Sequence, residues 1–263
     1  MDLIDSLSEA AVMYDEKACV DKLMIITGRR PTLYRRYTDA FAVTHVNDAI
    51  LIDIRGTDGN TVWQKAAVWL SNLFDSKPDE TGRHPGFREA AEWIMSVLKD
   101  QYNIKDKQFS RVTVSCHSRG TGIGVILVPL LAEYLSKLYN VKAHIHIHIN
   151  AFAPVPGYNK TGVQTIWNEA HNKYGVTGTL IINPRDMATT IMRGDKWKEG
   201  ADIEAGVVRL VLPPDTVWQK MFKRIGGVHE HRPREYADGM MLHFKKSPEK
   251  VERMKKYRKM FVN

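Results

Sequence analysis

The feature that most constrains the fold is an apolar run, a tight turn and a long apolar stretch that follow one another directly. Residues 111–116 (RVTVSC) are rich in β-branched side chains, which is typical of a strand. Residues 117–120 (HSRG) follow, and the apolar spacing of residues 123–139 predicts a buried helix. A strand that turns directly into a helix is half of a β-α-β unit, which is the building block of parallel sheets.

Further runs repeat this alternation along the chain. Strands are predicted at residues 50–54, 141–150, 178–182 and 206–212, with helices at residues 163–172 and from Ser247 onward. Strands separated by helices imply parallel pairing through right-handed crossovers. The predicted fold class is therefore α/β, with a mostly parallel central sheet and helices on both faces. Because no repeat, linker or low-complexity segment interrupts the pattern, residues 1–263 are interpreted as one domain.

Composition supports a folded and intracellular protein. Of the 263 residues, 43% are hydrophobic and 26% are charged, which excludes long disorder as the main state. Cys19 and Cys116 fit no zinc or disulfide spacing and are expected to be reduced. The acidic N-terminus does not resemble a signal peptide, and no uncharged apolar stretch approaches about 18 residues. Cytoplasmic residence is the expectation, with release by lysis or specialised secretion as the alternative.

The formal net charge of +8 favours anionic surfaces or substrates. Basic residues concentrate at residues 29–36 and 245–259, and they form either a solvated face, an anionic-membrane surface or, less in keeping with the composition, a nucleic-acid surface. Apolar residues recur at helical intervals within the second segment, at Val251, Met254, Tyr257 and Phe261. That stripe is expected to pack on the domain, with membrane contact as the alternative.

Ser118 is the candidate nucleophile. A serine hydroxyl needs a base to take its proton, and an exposed position on a strained strand-to-helix turn that small neighbours at −2 and +2 permit. Cys116 and Gly120 occupy those positions, so cysteine replaces the first glycine of the Gly-x-Ser-x-Gly pattern. The alternatives are a serine in an ordinary turn, or an elbow that has lost activity.

Several segments in the right order resemble the class 3 lipase family, a branch of the α/β-hydrolases. They are residues 54–57 (IRGT), 69–73 (WLSNL) and 84–87 (HPGF) before the serine, and residues 152–159 (FAPVPGYN) and 183–186 (NPRD) after it. The resemblance spans residues 8–240. It implies a hydrolase of carboxylic esters that needs no metal or organic cofactor. By the same resemblance, the backbone N–H groups of Thr57 and Arg119 form the oxyanion hole, and the Thr57 hydroxyl is a further donor.

The acid of a catalytic triad should be a carboxylate at the end of a later strand, because it orients the histidine and stabilises the imidazolium. Asp186 fits, since it follows the predicted strand end at Ile182 by four residues. Asp195, Asp202 and Asp215 are alternatives that lack such a strand and the asparagine of the family.

His231 is the candidate base. The resemblance favours it because Glu235 and Tyr236 follow at the offsets common in the family. His229 and His243 are alternatives. The resulting chain order, serine then aspartate then histidine, is the order found in α/β-hydrolases.

Three further features have two interpretations each. Arg119 stands where the family commonly has leucine, so its guanidinium is expected to favour an anionic substrate group or to pair with a carboxylate of the protein. Residues 62–70 (VWQKAAVWL) occupy the place of a lid, and they fit a helix packed on the sheet equally well. The alternating histidines His144, His146 and His148 indicate a polar strand face rather than a metal site.

The sequence thus predicts a lipase or esterase, with phospholipase-like activity included, that acts on lipids or acylated small molecules. Its expected partners are an ester substrate and an anionic membrane surface; nucleic acid is not expected, and the oligomeric state is open. Two alternatives stay open: a lipase-like binding or structural protein without turnover, and a basic protein whose main task is to dock on a membrane or nucleic acid.

Overall fold

The structure is a computed structural model. It describes residues 2–37, 39–56, 76–139, 145–184, 186, 203, 205–213 and 232–261.

Within these residues, seven strands form one sheet in which every strand lies beside its neighbours in the sequence. The strands are β1 (Thr32–Arg36), β2 (Asp39–Val46), β3 (Ala49–Ile54), β4 (Arg111–His117), β5 (His146–Phe152), β6 (Thr177–Ile182) and β7 (Val207–Val211). β1, β2 and β3 pair antiparallel, and β3 through β7 pair parallel. The carboxyl ends of five strands therefore share one edge, which is where α/β proteins place their sites.

The described helices are α1 (Leu3–Val12), α2 (Cys19–Thr27), α3 (Pro85–Asp100), α4 (Arg119–Tyr139), α5 (Lys160–Gly162), α6 (Asn168–Tyr174), α7 (Pro233–His243) and α8 (Pro248–Arg258). A 3₁₀ turn spans Ile104–Asp106, and a π-helical turn at Val163–Trp167 joins α5 to α6. α3, α4 and α6 contribute to the core on one face of the sheet. α1, α7 and α8 contribute to a second core on the other face. The predicted fold class is confirmed.

The two faces of the sheet differ in chemistry. Side chains alternate between faces along a strand, so the odd and even positions of β3, β4 and β5 point in opposite directions. Buried isoleucine, valine, cysteine and alanine fill the face under α3 and α4, which we call the apolar face: Ile50, Ile52, Ile54, Val112, Val114, Cys116, Ile147, Ile149 and Ala151.

The opposite face carries a row of polar residues across four neighbouring strands, and we call it the polar face. The strand register aligns Asp53, Ser115, Asn150 and Thr179 side by side. α1 lies over this row, because Ser6 Oγ accepts a 2.8 Å hydrogen bond from Asn150 and Ser115 Oγ donates a 3.3 Å bond to Glu9 Oε2. Helix α1 is therefore fixed to the sheet by polar contacts as well as by apolar burial.

Most sequence predictions for single elements are confirmed, with boundaries that shift by a few residues. Strand β5 begins at His146, and residues 140–144 of the predicted strand 141–150 lie outside the described residues. The predicted helix at 163–172 corresponds to a π turn followed by α6. The elements that were not predicted are α1, α2, α3, α5, α7, β1 and β2. The interpretation of residues 1–263 as a single domain stays a prediction.

Helix α4 is the central buried element, and it is also long and apolar enough, by length and composition, to cross a membrane. Among the described residues it is the one helix of this kind, and 67% of its most apolar stretch is buried inside the protein. Its hydrophobicity is explained by its place against the apolar face. Met254 and Tyr257 on α8 are buried, as is Phe261 just after it, and Val251 is partly buried, so the predicted packing of this apolar stripe is confirmed.

Candidate functional site

Ser118 lies at the turn between β4 and α4, at the carboxyl edge of the parallel strands. Its φ of 56° is in the left-handed region, which costs about 1 to 3 kcal/mol for a residue other than glycine. Ser118 N–H donates to Phe152 O at 3.0 Å, and Ser118 O accepts from Thr121 N–H at 2.8 Å. These bonds from β5 and α4 hold the turn in its strained form. Such strain is concentrated at functional sites, so Ser118 fits the predicted nucleophile elbow.

The residues at −2 and +2 explain why the turn tolerates a cysteine. A Cβ at Gly120 would lie 2.8 Å from Ile54 O, so a small residue is required there. Cys116 points to the apolar face, where its thiol lies near Gly124. A Cβ at Gly124 would come within 3.1 Å of Cys116 Sγ, so the missing side chain of α4 makes room for the thiol. Both cysteines are free and buried, and burial raises the pKa of Cys116 well above its usual value.

One of the two predicted oxyanion donors lies within the described residues. Arg119 is the first residue of α4, so its backbone N–H belongs to the turn whose donors have no partner inside the helix. The positive end of the helix dipole adds to the attraction for an anion at this point. Thr57 lies outside the described residues, but its neighbour Gly56 does not. A Cβ on Gly56 would lie 3.2 Å from Ser118 Cβ, so the predicted oxyanion loop approaches the elbow closely.

The side chain of Arg119 pairs with a carboxylate of the protein. Its guanidinium donates to Asp39 at the start of β2, and both side chains are about nine-tenths buried. Of the two sequence interpretations, pairing within the protein is therefore the one observed. Burial and the nearby charge of Arg119 lower the pKa of His84 to about 4, so this histidine is neutral at pH 7. His84 caps α3 and stacks on Phe87, which is a structural task.

Asp186 lies just past the end of β6 and is fully buried. Its Oδ2 accepts a 2.8 Å hydrogen bond from the hydroxyl of Tyr236 in the first turn of α7. Burial and the adjacent carboxylate raise the pKa of Tyr236 well above its usual value, so the phenol stays protonated and can donate. This acceptor is therefore fixed at the carboxyl edge of the sheet, the edge at which Ser118 also lies.

Of the candidate bases, His231 and His229 lie outside the described residues. His243 is described, and it is exposed at the last residue of α7, seven residues beyond Tyr236. At 1.5 Å per residue this separates it from the Asp186 end of the helix by about 10 Å. The structure therefore disfavours His243. The alternative acids Asp195, Asp202 and Asp215 lie outside the described residues, as does the lid candidate at residues 62–70.

Two contacts at the site were missed by sequence reasoning. The hydroxyl of Tyr14, just after α1, shares a 2.7 Å hydrogen bond with His117 Nδ1. Glu16 Oε1 accepts a 3.0 Å bond from the guanidinium of Arg55. The local pattern gave no signal for either contact, because each joins positions at least 39 residues apart.

The histidines of β5 belong to a polar cluster on the polar face. His148 bonds to Thr177 at 2.7 Å and to Asn150 and Thr179 at 3.1 Å each, while His146 stacks beside it with ring centroids 6.0 Å apart. Burial lowers the pKa of His148. A search of the described residues finds no group of three or more histidine, cysteine, aspartate or glutamate side chains suited to a metal ion. His144 lies outside them.

A mostly parallel sheet with helices on both faces, and a serine in the left-handed conformation between a strand and a helix, is the arrangement of the α/β-hydrolase fold. No protein-family model matches the chain, and no curated protein matches it. Two solved structures are similar to it. A triacylglycerol lipase from Penicillium expansum is 14% identical, with a TM-score of 0.39, over 68% of this chain and 67% of the lipase. The triacylglyceride lipase of Rhizomucor miehei is 16% identical, with a TM-score of 0.41, over 71% of each chain.

Proposed function

We propose that this protein is a serine hydrolase that cleaves carboxylic esters through an acyl-enzyme. The observation that carries the proposal is the strained conformation of Ser118 at the N-terminus of α4, at the same carboxyl edge of the sheet as the buried carboxylate of Asp186 after β6. Strain at an otherwise ordinary residue needs a reason, and a nucleophile elbow supplies one.

The proposed reaction has two halves. Ser118 Oγ attacks the ester carbonyl while His231 takes its proton, and the negative charge develops on the carbonyl oxygen. The backbone N–H groups of Arg119 and Thr57 stabilise that charge, and each such donor contributes about 3 kcal/mol. His231 then protonates the leaving alcohol as the ester C–O bond breaks. In the second half, water attacks the acyl-enzyme with His231 again as the base, and Ser118 is released.

The described residues support His231 as the base through its neighbours. His231 directly precedes Arg232 in the sequence, and Arg232 is the N-cap residue of α7. Tyr236 in the first turn of α7 contacts Asp186. The proposed base is therefore adjacent in sequence to an element that touches the proposed acid. In this role, Asp186 fixes the tautomer of the imidazole and stabilises the imidazolium.

The proposed substrates are lipid esters or acylated small molecules, phospholipids included, and the proposed chemistry needs no metal or organic cofactor. This substrate class rests on the motifs around Ser118 that resemble class 3 lipases. Cytoplasmic residence also stays a proposal from the sequence.

A fluorophosphonate probe together with a series of p-nitrophenyl esters tests the proposal. The native protein should react with the probe and hydrolyse short-chain esters, and Ser118→Ala should lose both activities. Ser110→Ala is the matched control, because Ser110 is an exposed serine at the opposite end of β4. A folded native protein that neither reacts with the probe nor turns over any ester would favour a lipase-like binding or structural protein without turnover.

Exposed residues near the N-terminus favour a second role, docking on an anionic membrane surface. Met24 and Ile25 on α2 are 47% and 56% exposed, and the exposed Arg29 and Arg30 follow them. Apolar and basic side chains on one surface are typical of proteins that bind acidic lipids. Binding to vesicles that contain phosphatidylserine should then fall steeply between 50 and 300 mM salt, on the order of tenfold. Met24→Ser with Ile25→Ser should weaken it at constant salt.

A further inference from the structure

The short segment after α1 contacts the two chain segments that lead into the proposed oxyanion hole. Tyr14 reaches the elbow, because its hydroxyl shares a 2.7 Å hydrogen bond with Nδ1 of His117, the residue before Ser118. Glu16 reaches the opposite side, because it accepts a 3.0 Å bond from Arg55, two residues before Thr57. One stretch of three residues therefore joins two chain segments that are more than 60 positions apart in the sequence.

The hydroxyl group of Tyr14 also lies against Gly56. A Cβ at Gly56 would overlap the hydroxyl oxygen of Tyr14 and lie 2.6 Å from His117 O. The tyrosine hydroxyl therefore lies directly against the backbone of the oxyanion loop as well as against the elbow. Glycine is required at position 56 because these two groups approach so closely. Tyr14 therefore contacts both the loop and the elbow where the two approach each other.

The ring of Tyr14 also continues a row of aromatic contacts toward Asp186. Tyr14 meets the His117 ring edge-on with centroids 5.7 Å apart, and Tyr236 meets it edge-on at 5.8 Å. Tyr236 donates to Asp186, as described above. The imidazole of His117 is therefore held between two tyrosines, one bonded to it and the other bonded to the proposed acid.

Arg55 forms an ion pair with Glu16. Its side chain is only 4% exposed, whereas that of Glu16 is 53% exposed. A guanidinium buried to this degree needs hydrogen-bond acceptors, and its position follows theirs. The backbone N–H of Arg55 is also fixed, since it donates to Ala40 O at 3.0 Å. Glu16 and β2 therefore both hold Arg55, which lies two residues before Thr57.

We propose that Tyr14 and Glu16 are positioning residues for ester hydrolysis: they hold the oxyanion loop and the nucleophile elbow at the separation that lets both N–H donors reach one oxygen. The inference rests on the proposed function. It goes beyond it by assigning part of the catalytic geometry to the N-terminal segment. Because the oxyanion exists only in the transition state, the loss of this alignment should lower kcat and leave KM nearly unchanged.

Tyr14→Phe is the first test, since it keeps the ring and removes only the hydroxyl. We expect kcat for a p-nitrophenyl ester to fall about tenfold, with KM within twofold and with the same fall in the rate of fluorophosphonate labelling. Tyr37→Phe is the matched control, because Tyr37 is 97% exposed, and it should change neither rate. Thermal unfolding of both variants separates a positioning effect from a loss of folded protein.

Glu16 provides an independent test with a conservative rescue. Glu16→Ala should lower kcat about threefold to tenfold, and Glu16→Gln should restore it to within twofold of the native value, because an amide oxygen can accept the Arg55 bond. Glu89→Ala is the control, since Glu89 pairs with Arg36 on the surface. Should Tyr14→Phe fail to fold, the Glu16 variants decide the inference alone.

The outcomes distinguish this inference from the proposed function. If native Ser118 is labelled and turns over esters but Tyr14→Phe and Glu16→Ala keep the native kcat, the positioning role is wrong and the hydrolase stands. If the two variants raise KM and keep the native kcat, the positioning role is also wrong. If the native protein is folded but inert toward both the probe and the esters, both proposals fail together.

Discussion

The two faces of the central sheet are built from the same strands, yet one is packed with apolar side chains and the other is linked by hydrogen bonds. The apolar face packs isoleucine, valine and cysteine against α3 and α4. The polar face sets Asp53, Ser115 and Asn150 under α1, and leads at its carboxyl edge to His117 and its two tyrosine neighbours. Burial of apolar area is a non-directional source of stability, whereas hydrogen bonds fix distance and angle. We infer that the apolar face holds the fold together and that the polar face aligns the candidate site.

The polar face also carries an unusual charge arrangement. Glu9 and Asp53 are both fully buried and face each other between α1 and β3. Burial raises the pKa of Asp53 to about 7, and burial together with the charge of Asp53 raises that of Glu9 well above its usual value. Burial thus favours the protonated, uncharged form of both carboxyl groups. The contrast between the faces therefore extends to pH, because the polar face carries this pair of buried acids.

The largest expected effect comes from replacing Asp186, the proposed acid at the carboxyl edge of the sheet. Asp186→Asn should lower kcat by about 10⁴-fold, because an amide favours the wrong tautomer of the histidine base. Steady-state hydrolysis of a p-nitrophenyl ester measures it, and urea unfolding checks that the variant stays folded. Asp48→Asn, an exposed aspartate bonded to Arg111, should keep the native kcat. A fall below tenfold would remove Asp186 from the triad.

Adjacent residues of β5 allow the two faces to be compared directly for stability. Ile147 points to the apolar face with 2% of its surface exposed, and Ile147→Ala should lower the free energy of unfolding by about 3 kcal/mol. His148 points to the polar face, and His148→Ala should lower it by about 1 kcal/mol through lost hydrogen bonds. Urea unfolding followed by fluorescence measures both. Equal losses would contradict the proposed division of work.

The buried carboxyl pair predicts a pH dependence of stability. Since the folded pKa values are raised, the stabilising contribution is complete below the unfolded values near 4 and is lost as pH rises through about 7. Glu9→Gln removes one titrating group, so the fall in unfolding free energy between about pH 4 and 7 should become shallower by up to about 1.4 kcal/mol per pH unit. Glu92→Gln on the surface of α3 is the control. Parallel curves for native protein and Glu9→Gln would argue against a raised pKa of Glu9 in the folded protein.

The smallest expected effect concerns substrate charge. Because the guanidinium of Arg119 is already paired with Asp39, Arg119→Leu should change the ratio of kcat/KM for anionic and neutral esters by less than about twofold. Arg111→Leu, which breaks an exposed pair at the far end of β4, is the matched control. A tenfold loss of preference for the anionic ester would show that Arg119 contacts the substrate.

The elements around Ser118 could be predicted from the sequence because their signals are local. β-branched runs mark β3 and β4, and the strand-to-helix transition at residues 117–120 is visible in composition alone. The position of Asp186 just after a strand could also be predicted, since a carboxylate that follows a strand end is a short-range sequence pattern. The alternation of His146 and His148 with isoleucine correctly indicated a polar strand face.

Contacts across the fold could not be predicted in this way. Tyr14 and His117 are 103 residues apart, and Arg119 and Asp39 are 80 apart, so only the folded chain brings them together. The polar row on the sheet had a local signal in Asp53, a charged residue inside an apolar run, but the partner Glu9 lies on a helix that was not predicted. The sequence alone also does not explain how cysteine can replace glycine at position 116. The structure explains it, because Gly124 on α4 leaves room for the thiol.

Mass spectrometry of the probe-treated protein tests the central claim most directly. The folded protein should gain one fluorophosphonate adduct per chain, and peptide mapping should locate it on Ser118. The same protein unfolded in urea should gain none, because reactivity depends on the strained turn and its base. An adduct on another residue, or equal labelling of folded and unfolded protein, would contradict the assignment of Ser118 as an activated nucleophile.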